Sequence, residues 1–178
     1  AHIELYDQTG KLKLNMNIGI KIHGTSSRVY PQKPFALFAR SKYESDEINY
    51  RIFHDKDIDY YKSIILRNSG YDWRNTLFND GLCHTLVAGQ IEVDYQAYQP
   101  AVVFINGRYW GILNIREKLN EHYITSNHGV APDDLDLIDI TGYIRTVVGD
   151  TVHYNNLLEY VESQDMNMPE NYEYISSQ

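Results

Sequence analysis

Ala101-Val102-Val103-Phe104-Ile105-Asn106-Gly107-Arg108-Tyr109-Trp110-Gly111-Ile112-Leu113 carries the strongest local signal in the chain. Two apolar, β-prone runs flank a two-residue Asn-Gly turn. Asn-Gly satisfies the positive φ angles of a type I′ turn, so this stretch predicts a tight antiparallel hairpin.

Toward the amino terminus, Ser63-Ile64-Ile65-Leu66-Arg67 is apolar on both faces and reads as a central strand. Between it and the hairpin, Leu77, Phe78, Gly81, Leu82, Thr85 and Leu86 recur at helical spacing. Asp72 is a candidate cap for that helix and Gly89 a candidate stop. Ile18, Ile20 and Ile22 alternate with Gly19, Lys21 and His23, the period of a half-buried strand. Phe35 to Arg40 reads as its antiparallel partner, and Ser41 to Asp59 as a polar connection. Beyond the hairpin, a short helix is expected from Leu119 to Asn127, stopped by Gly129. A loop from Asp133 leads into a strand near Ile138. A last helix, capped by Asp150 or Thr151, carries Leu157, Leu158 and Val161 on one face. The order β-β-β-α-β-β-α-β-α predicts an α+β fold, a mostly antiparallel sheet with interspersed helices.

Composition narrows the function classes. Of 178 residues, 43% are hydrophobic and 22% charged, ordinary globular values. The longest apolar run, Ala101 to Ile105, falls far below the roughly 20 residues of a membrane span. A net charge of −8 without a basic block argues against nucleic acid as a partner. Cys83 is alone, which rules out an internal disulfide or a cysteine-based zinc site. The seven histidines show no metal-ligand spacing, and no Gly-x-Ser-x-Gly elbow occurs. Sixteen tyrosines suit either a ligand-stacking surface or an ordinary β-rich domain.

Three stretches could carry chemistry. The turn Gly24-Thr25-Ser26-Ser27-Arg28, followed by Lys33, could offer backbone amides and two cations to phosphate oxygens. It reads equally as a polar turn with exposed charges. Arg67-Asn68-Ser69-Gly70-Tyr71-Asp72-Trp73-Arg74 sits at a strand-to-helix junction, a place that favours anions, or else it is a capping sequence. Glu117 is either the ion-pair partner of a sheet lysine or a solvated glutamate at a helix start.

Read together, these segments resemble the CotH (spore-coat protein H) kinase family. The resemblance rests on Lys21-Ile22-His23-Gly24-Thr25-Ser26-Ser27-Arg28, on Lys33-Pro34-Phe35-Ala36-Leu37, and on Leu66-Arg67-Asn68 with Asp72. Asn106-Gly107-Arg108-Tyr109-Trp110-Gly111 with Glu117 completes it, so that it covers roughly residues 18 to 137. It implies an atypical protein-kinase-like fold that transfers phosphate from ATP, with Mg or another divalent metal, to Ser or Thr of exported proteins. By the same resemblance Lys33 is the ATP-phosphate lysine, Arg28 and Ser27 lie at the phosphates, and Glu117 orients Lys33. An extracytoplasmic or cell-surface location in bacteria follows, the spore coat included.

The family's catalytic and metal-binding aspartates lie in motifs resembling Asn-x-Asp-x-x-x-x-Asn and Trp-Asp-x-Asp, and neither occurs here. No catalytic residue and no metal ligand is therefore assigned. Residues 1–178 read as a single incomplete domain, inactive alone, with 138–178 a connecting strand and helix leading to an absent carboxy-terminal part. Such a piece is expected to self-associate through an exposed apolar face. The competing expectation is a surface binding or structural module for glycan or protein, without catalysis.

Overall fold

The Asn-Gly turn forms with Asn106 at φ 51° and Gly107 at φ 75°. In the computed structural model, which describes residues 1–140 and 142–178, the chain begins with β1 (His2–Tyr6), β2 (Leu12–Asn17), β3 (Gly19–Ile22) and β4 (Phe35–Phe38). It continues through β5 (Ile48–Asn49), β6 (Tyr60–Tyr61), β7 (Ser63–Arg67), helix α1 (Asn79–Val87) and the hairpin β8 (Tyr98–Ile105) and β9 (Arg108–Glu117). Then come α2 (Glu121–His128), β10 (Leu137–Asp139), β11 (Arg145–Val148), α3 (Val152–Ser163) and α4 (Pro169–Ser176). Two compact units result, Ala1–Asn127 and His128–Gln178.

The first unit is built on a five-stranded antiparallel sheet of order β3-β4-β7-β9-β8. β7 is its central strand, as its two apolar faces predict, and the fold is α+β. Because side chains alternate across a strand, the register sorts residues by face. One face carries Leu37, Ile64, Leu66 and Ile115. It is closed by Met16, Ile18, Ile48, Ile52, Phe53 and Ile58 from the chain that precedes and follows β4. The other face aligns Lys21, Ala36, Ile65, Arg116 and Tyr98 across all five strands. Helix α1 packs against this second face. A Cβ on Gly81 would stand 2.5 Å from the Tyr98 ring, so only glycine lets the helix come this close.

Several expectations are corrected. The β1–β2 hairpin was not anticipated, although Leu12, Leu14 and Met16 alternate with polar residues. Ile18 is fully buried, but Ile20 and Ile22 are exposed, because β3 is an edge strand. The stretch from Ser41 to Asp59 is far from merely polar, since it contributes Ile48, Ile52, Phe53 and Ile58 to the core. Helix α1 starts at Asn79, not near Asp72, because Leu77 adopts φ 65° and interrupts the helix. The Leu77 carbonyl accepts bonds from Asn114 Nδ2 (2.6 Å) and Ser69 Oγ, which hold it there. Asp72 still serves the helix. Its carboxylate accepts from the Thr76 hydroxyl and from the Asn79 amide at 3.0 Å, and these bonds keep it below the usual carboxylate range.

In the second unit β10 pairs antiparallel with β11. Asp150 caps α3 by accepting the Val152 amide at 2.8 Å. Tyr160 of α3 stacks on Tyr174 of α4 with ring centres 4.5 Å apart.

Candidate functional site

Glu117 closes β9 as a buried residue rather than opening a helix in solvent. Its Oε2 accepts from Lys56 Nζ at 2.6 Å and from the Ala97 amide at 2.9 Å, and its Oε1 accepts from Asn127 Nδ2 at 3.1 Å. Lys56 also donates to Asn127 Oδ1 and to the Tyr95 carbonyl, and it lies between the Tyr95 and Tyr123 rings. Both side chains are nearly sealed, at 7% and 4% exposure. An ion pair this deep depends on such extra hydrogen bonds to offset its desolvation. Glu117 is thus an ion-pair partner, but Lys56 is its lysine. Leu37 is level with Glu117 through Ile64. Lys33 therefore sits two strands across and roughly 13 Å further along the strand direction.

The turn after β3 lies at the opposite end of the sheet. Lys33 Nζ donates to the Arg28 carbonyl at 2.6 Å, and Arg28 Nη2 to the Ile22 carbonyl at 3.2 Å. Asn68, fully buried at the end of β7, donates to the carbonyls of Ser27 and Gln32. Gln32 crosses to β9 and donates to the Ile112 carbonyl at 2.9 Å. It can do so because Gly111 has no Cβ, which would fall 2.4 Å from Gln32 Nε2. Tyr30 stacks on Trp73 at 5.1 Å between ring centres. Ser27, Arg28 and Lys33 are therefore brought together on a stapled turn, with Glu117 elsewhere.

A second cluster occupies the face that α1 partly covers. Arg116, the neighbour of Glu117, points to this side and is fully buried. It donates to the Ala97 carbonyl (3.0 Å), the Gln96 carbonyl (3.2 Å) and Asp80 Oδ2 (2.7 Å). Arg67 Nε approaches the same Asp80 oxygen at 3.1 Å. Burial, and then the positive charges of Lys118, Arg67, Lys21 and Arg28, hold the His23 imidazole below the usual histidine range. Nearby, a groove of about 470 Å³ is lined by Lys21, Ala36, Phe38, Ser63, Lys118 and His122 among others. In a chain of net charge −8, two guanidinium groups around the single carboxylate of Asp80 leave an excess of positive charge here, which suits an anion.

The model of the family described as CotH kinase protein matches residues 20–176. The chain belongs to the CotH family. The match runs on through β10, β11, α3 and α4, past Leu137 where the motif resemblance stopped. No curated protein and no solved structure matches this CotH-family chain. Among the described residues no group of three or more His, Cys, Asp or Glu side chains could hold a metal ion, and no helix is long and apolar enough to cross a membrane. Lys21, His23, Lys56, Asp80, Arg116, Lys118 and Asn127 were not singled out from the sequence as site residues. Lys56 stands 61 positions from Glu117, so no local pattern could link them. Arg67 opens the strand-to-helix segment Arg67 to Arg74 that reads as favourable to anions, but its partner Asp80 lies beyond that segment, in α1.

Proposed function

We propose that this CotH-family chain is the nucleotide-side portion of an atypical protein kinase domain, and that the open face of its five-stranded sheet receives the phosphates of ATP. The observation that carries this reading is that Arg67 and Arg116 share the single carboxylate of Asp80 on this face, while Lys21 and Lys118 line a groove of the same face. Phosphoryl transfer asks of a protein mainly positioning and charge neutralisation, and this face supplies fixed positive charge. Protein kinases join a strand cation to a helix carboxylate by an ion pair. Here Arg67, at the end of β7, meets Asp80 of α1, in the helix that follows that strand.

In this reading the stapled turn with Ser27, Arg28 and Lys33 borders the phosphates, and Glu117 fixes the end of β9 instead of orienting Lys33. The cationic side chains fit a polyphosphate. A divalent metal bound with it would neutralise phosphate charge. The protein substrate, Ser or Thr of an exported or surface protein, and a cell-surface or spore-coat setting come from the family. Without the two aspartate motifs, the chain by itself binds nucleotide but does not transfer phosphate.

Calorimetric titration of the 178-residue chain with Mg-ATP tests the reading. Saturable binding that weakens with added salt is expected. No heat at millimolar nucleotide, together with saturable binding of oligosaccharides, would overturn it in favour of a binding module.

A further inference from the structure

The two arginines that share Asp80 are bonded very differently. Arg116 is sealed and all three of its guanidinium nitrogens donate, two to backbone carbonyls and one to Asp80 Oδ2. Arg67 is 43% exposed, and among the described residues Asp80 is its one ion-pair partner. Its Nε is buried without a hydrogen bond of good geometry, and its two Nη groups make no hydrogen bond to the described residues. Asp80 Oδ1 is likewise buried without a partner. A guanidinium carries five N–H donors in a planar fork, so most of the capacity of Arg67 is unused.

Charge counting agrees. One carboxylate faces two guanidinium groups, leaving an excess positive charge, and Lys21, Lys118 and Arg28 add to it. The cations of the turn differ, because Arg28 Nη2 donates to the Ile22 carbonyl at the end of β3 and Lys33 to the Arg28 carbonyl of their shared loop.

We propose that Arg67 is the side chain that grips the phosphate on this face, that Asp80 is its positioning residue, and that buried Arg116 locks Asp80 in place. This assignment rests on the nucleotide reading above. It replaces Lys33 with Arg67 as the principal phosphate contact. Asp80 orients the Nε edge of the fork, which leaves the Nη groups to meet two oxygens of one phosphate group in the bidentate manner that arginine favours. Lys33 and Arg28 then act as surrounding charge, tuning attraction rather than geometry.

The test measures binding of ADP and of inorganic pyrophosphate to the full chain by calorimetry, for the wild type and for Arg67→Ala, Arg67→Lys, Lys33→Ala and Asp80→Asn. Loss of a charge-assisted bidentate contact predicts at least about tenfold weaker binding for Arg67→Ala. Arg67→Lys keeps the charge but loses the fork, so it recovers only part of the affinity. Lys33→Ala stays within about threefold of wild type, as befits a screened charge. In an Asp80→Asn background, Arg67→Ala adds little further loss, a coupling that general destabilisation would not produce. Circular dichroism melts establish that Arg67→Ala is folded, and Arg67→Gln serves as a second variant if it is not. If the wild type binds and both Arg67 variants bind equally well, or if Lys33→Ala alone abolishes binding, the assignment is overturned and the nucleotide reading survives. If the wild type binds neither probe, both fall.

Discussion

Arg116 and Glu117 are neighbours in β9, yet they serve two charged clusters on opposite faces of one sheet. The Glu117 cluster is closed. Every oxygen of the carboxylate and the Lys56 ammonium are bonded within the protein, and two tyrosine rings cover the cation. The Arg116 cluster is closed on one side only, since Arg67 at its outer end keeps its donors. A satisfied buried cluster holds a junction rigid, whereas a half-satisfied one at the surface has capacity left for a ligand. The difference separates scaffold from site more sharply than residue type does.

The largest effect should come from opening the closed cluster. Glu117→Ala leaves the Lys56 charge buried without its partner, and about 3–5 kcal/mol of stability should be lost in chemical denaturation. Replacing both partners, as in Lys56→Met with Glu117→Leu, should restore much of that loss. Were the single and double variants equally unstable, the pair would not be the source.

Helix α1 is the second lever. Gly81→Ala drives a methyl into the Tyr98 ring, and overpacking of this kind costs about 1–3 kcal/mol. Because the displaced helix carries Asp80, the variant should also weaken nucleotide binding, while Glu117→Ala acts first on stability. Asp72→Ala removes a remote cap from the same helix and should lower the denaturation midpoint slightly.

The smallest effect concerns pH. His23 has a folded pKa below its unfolded one, so the native state binds fewer protons there. Its contribution to stability is complete above the ordinary histidine range and declines as pH falls through that range. A bound anion reverses this by favouring the imidazolium, so binding should take up protons as pH falls through and below the ordinary histidine range, and tighten modestly there. His23→Gln should abolish the extra proton uptake. If uptake persists unchanged in that variant, His23 does not face the anion.

The sheet was legible where local chemistry decides it. The Asn106-Gly107 turn, the doubly apolar β7 and the Gly89 stop each follow from a few adjacent residues. The early part of the chain was less legible. The β1–β2 hairpin is joined by a turn in which Asp7 accepts the amides of Thr9 and Lys11, a side-chain device rather than an Asn-Gly signature. Helix α1 was misplaced because Leu77 takes a backbone angle that leucine rarely adopts, and only bonds from distant Asn114 and Ser69 make it tenable. The charged clusters were the least legible part. Glu117 and Arg67 were noticed, but Lys56, Asp80 and Arg116 acquire their roles through pairings 13 to 61 residues apart in sequence.

The alternation at the end of β9 also bears on how the chain finds its pairing. A slip of β9 by one residue would turn each side chain to the opposite face. A slip in one direction would put Arg116 in the place of Glu117 beside Lys56, cation against cation, and a slip in the other would put Glu117 in the place of Arg116 beside Asp80, anion against anion. Either error brings like charges together, so a slip in either direction is penalised. Two adjacent residues of opposite sign thus act as a register key for the hairpin, and they specify one alignment of the sheet before any ligand is present.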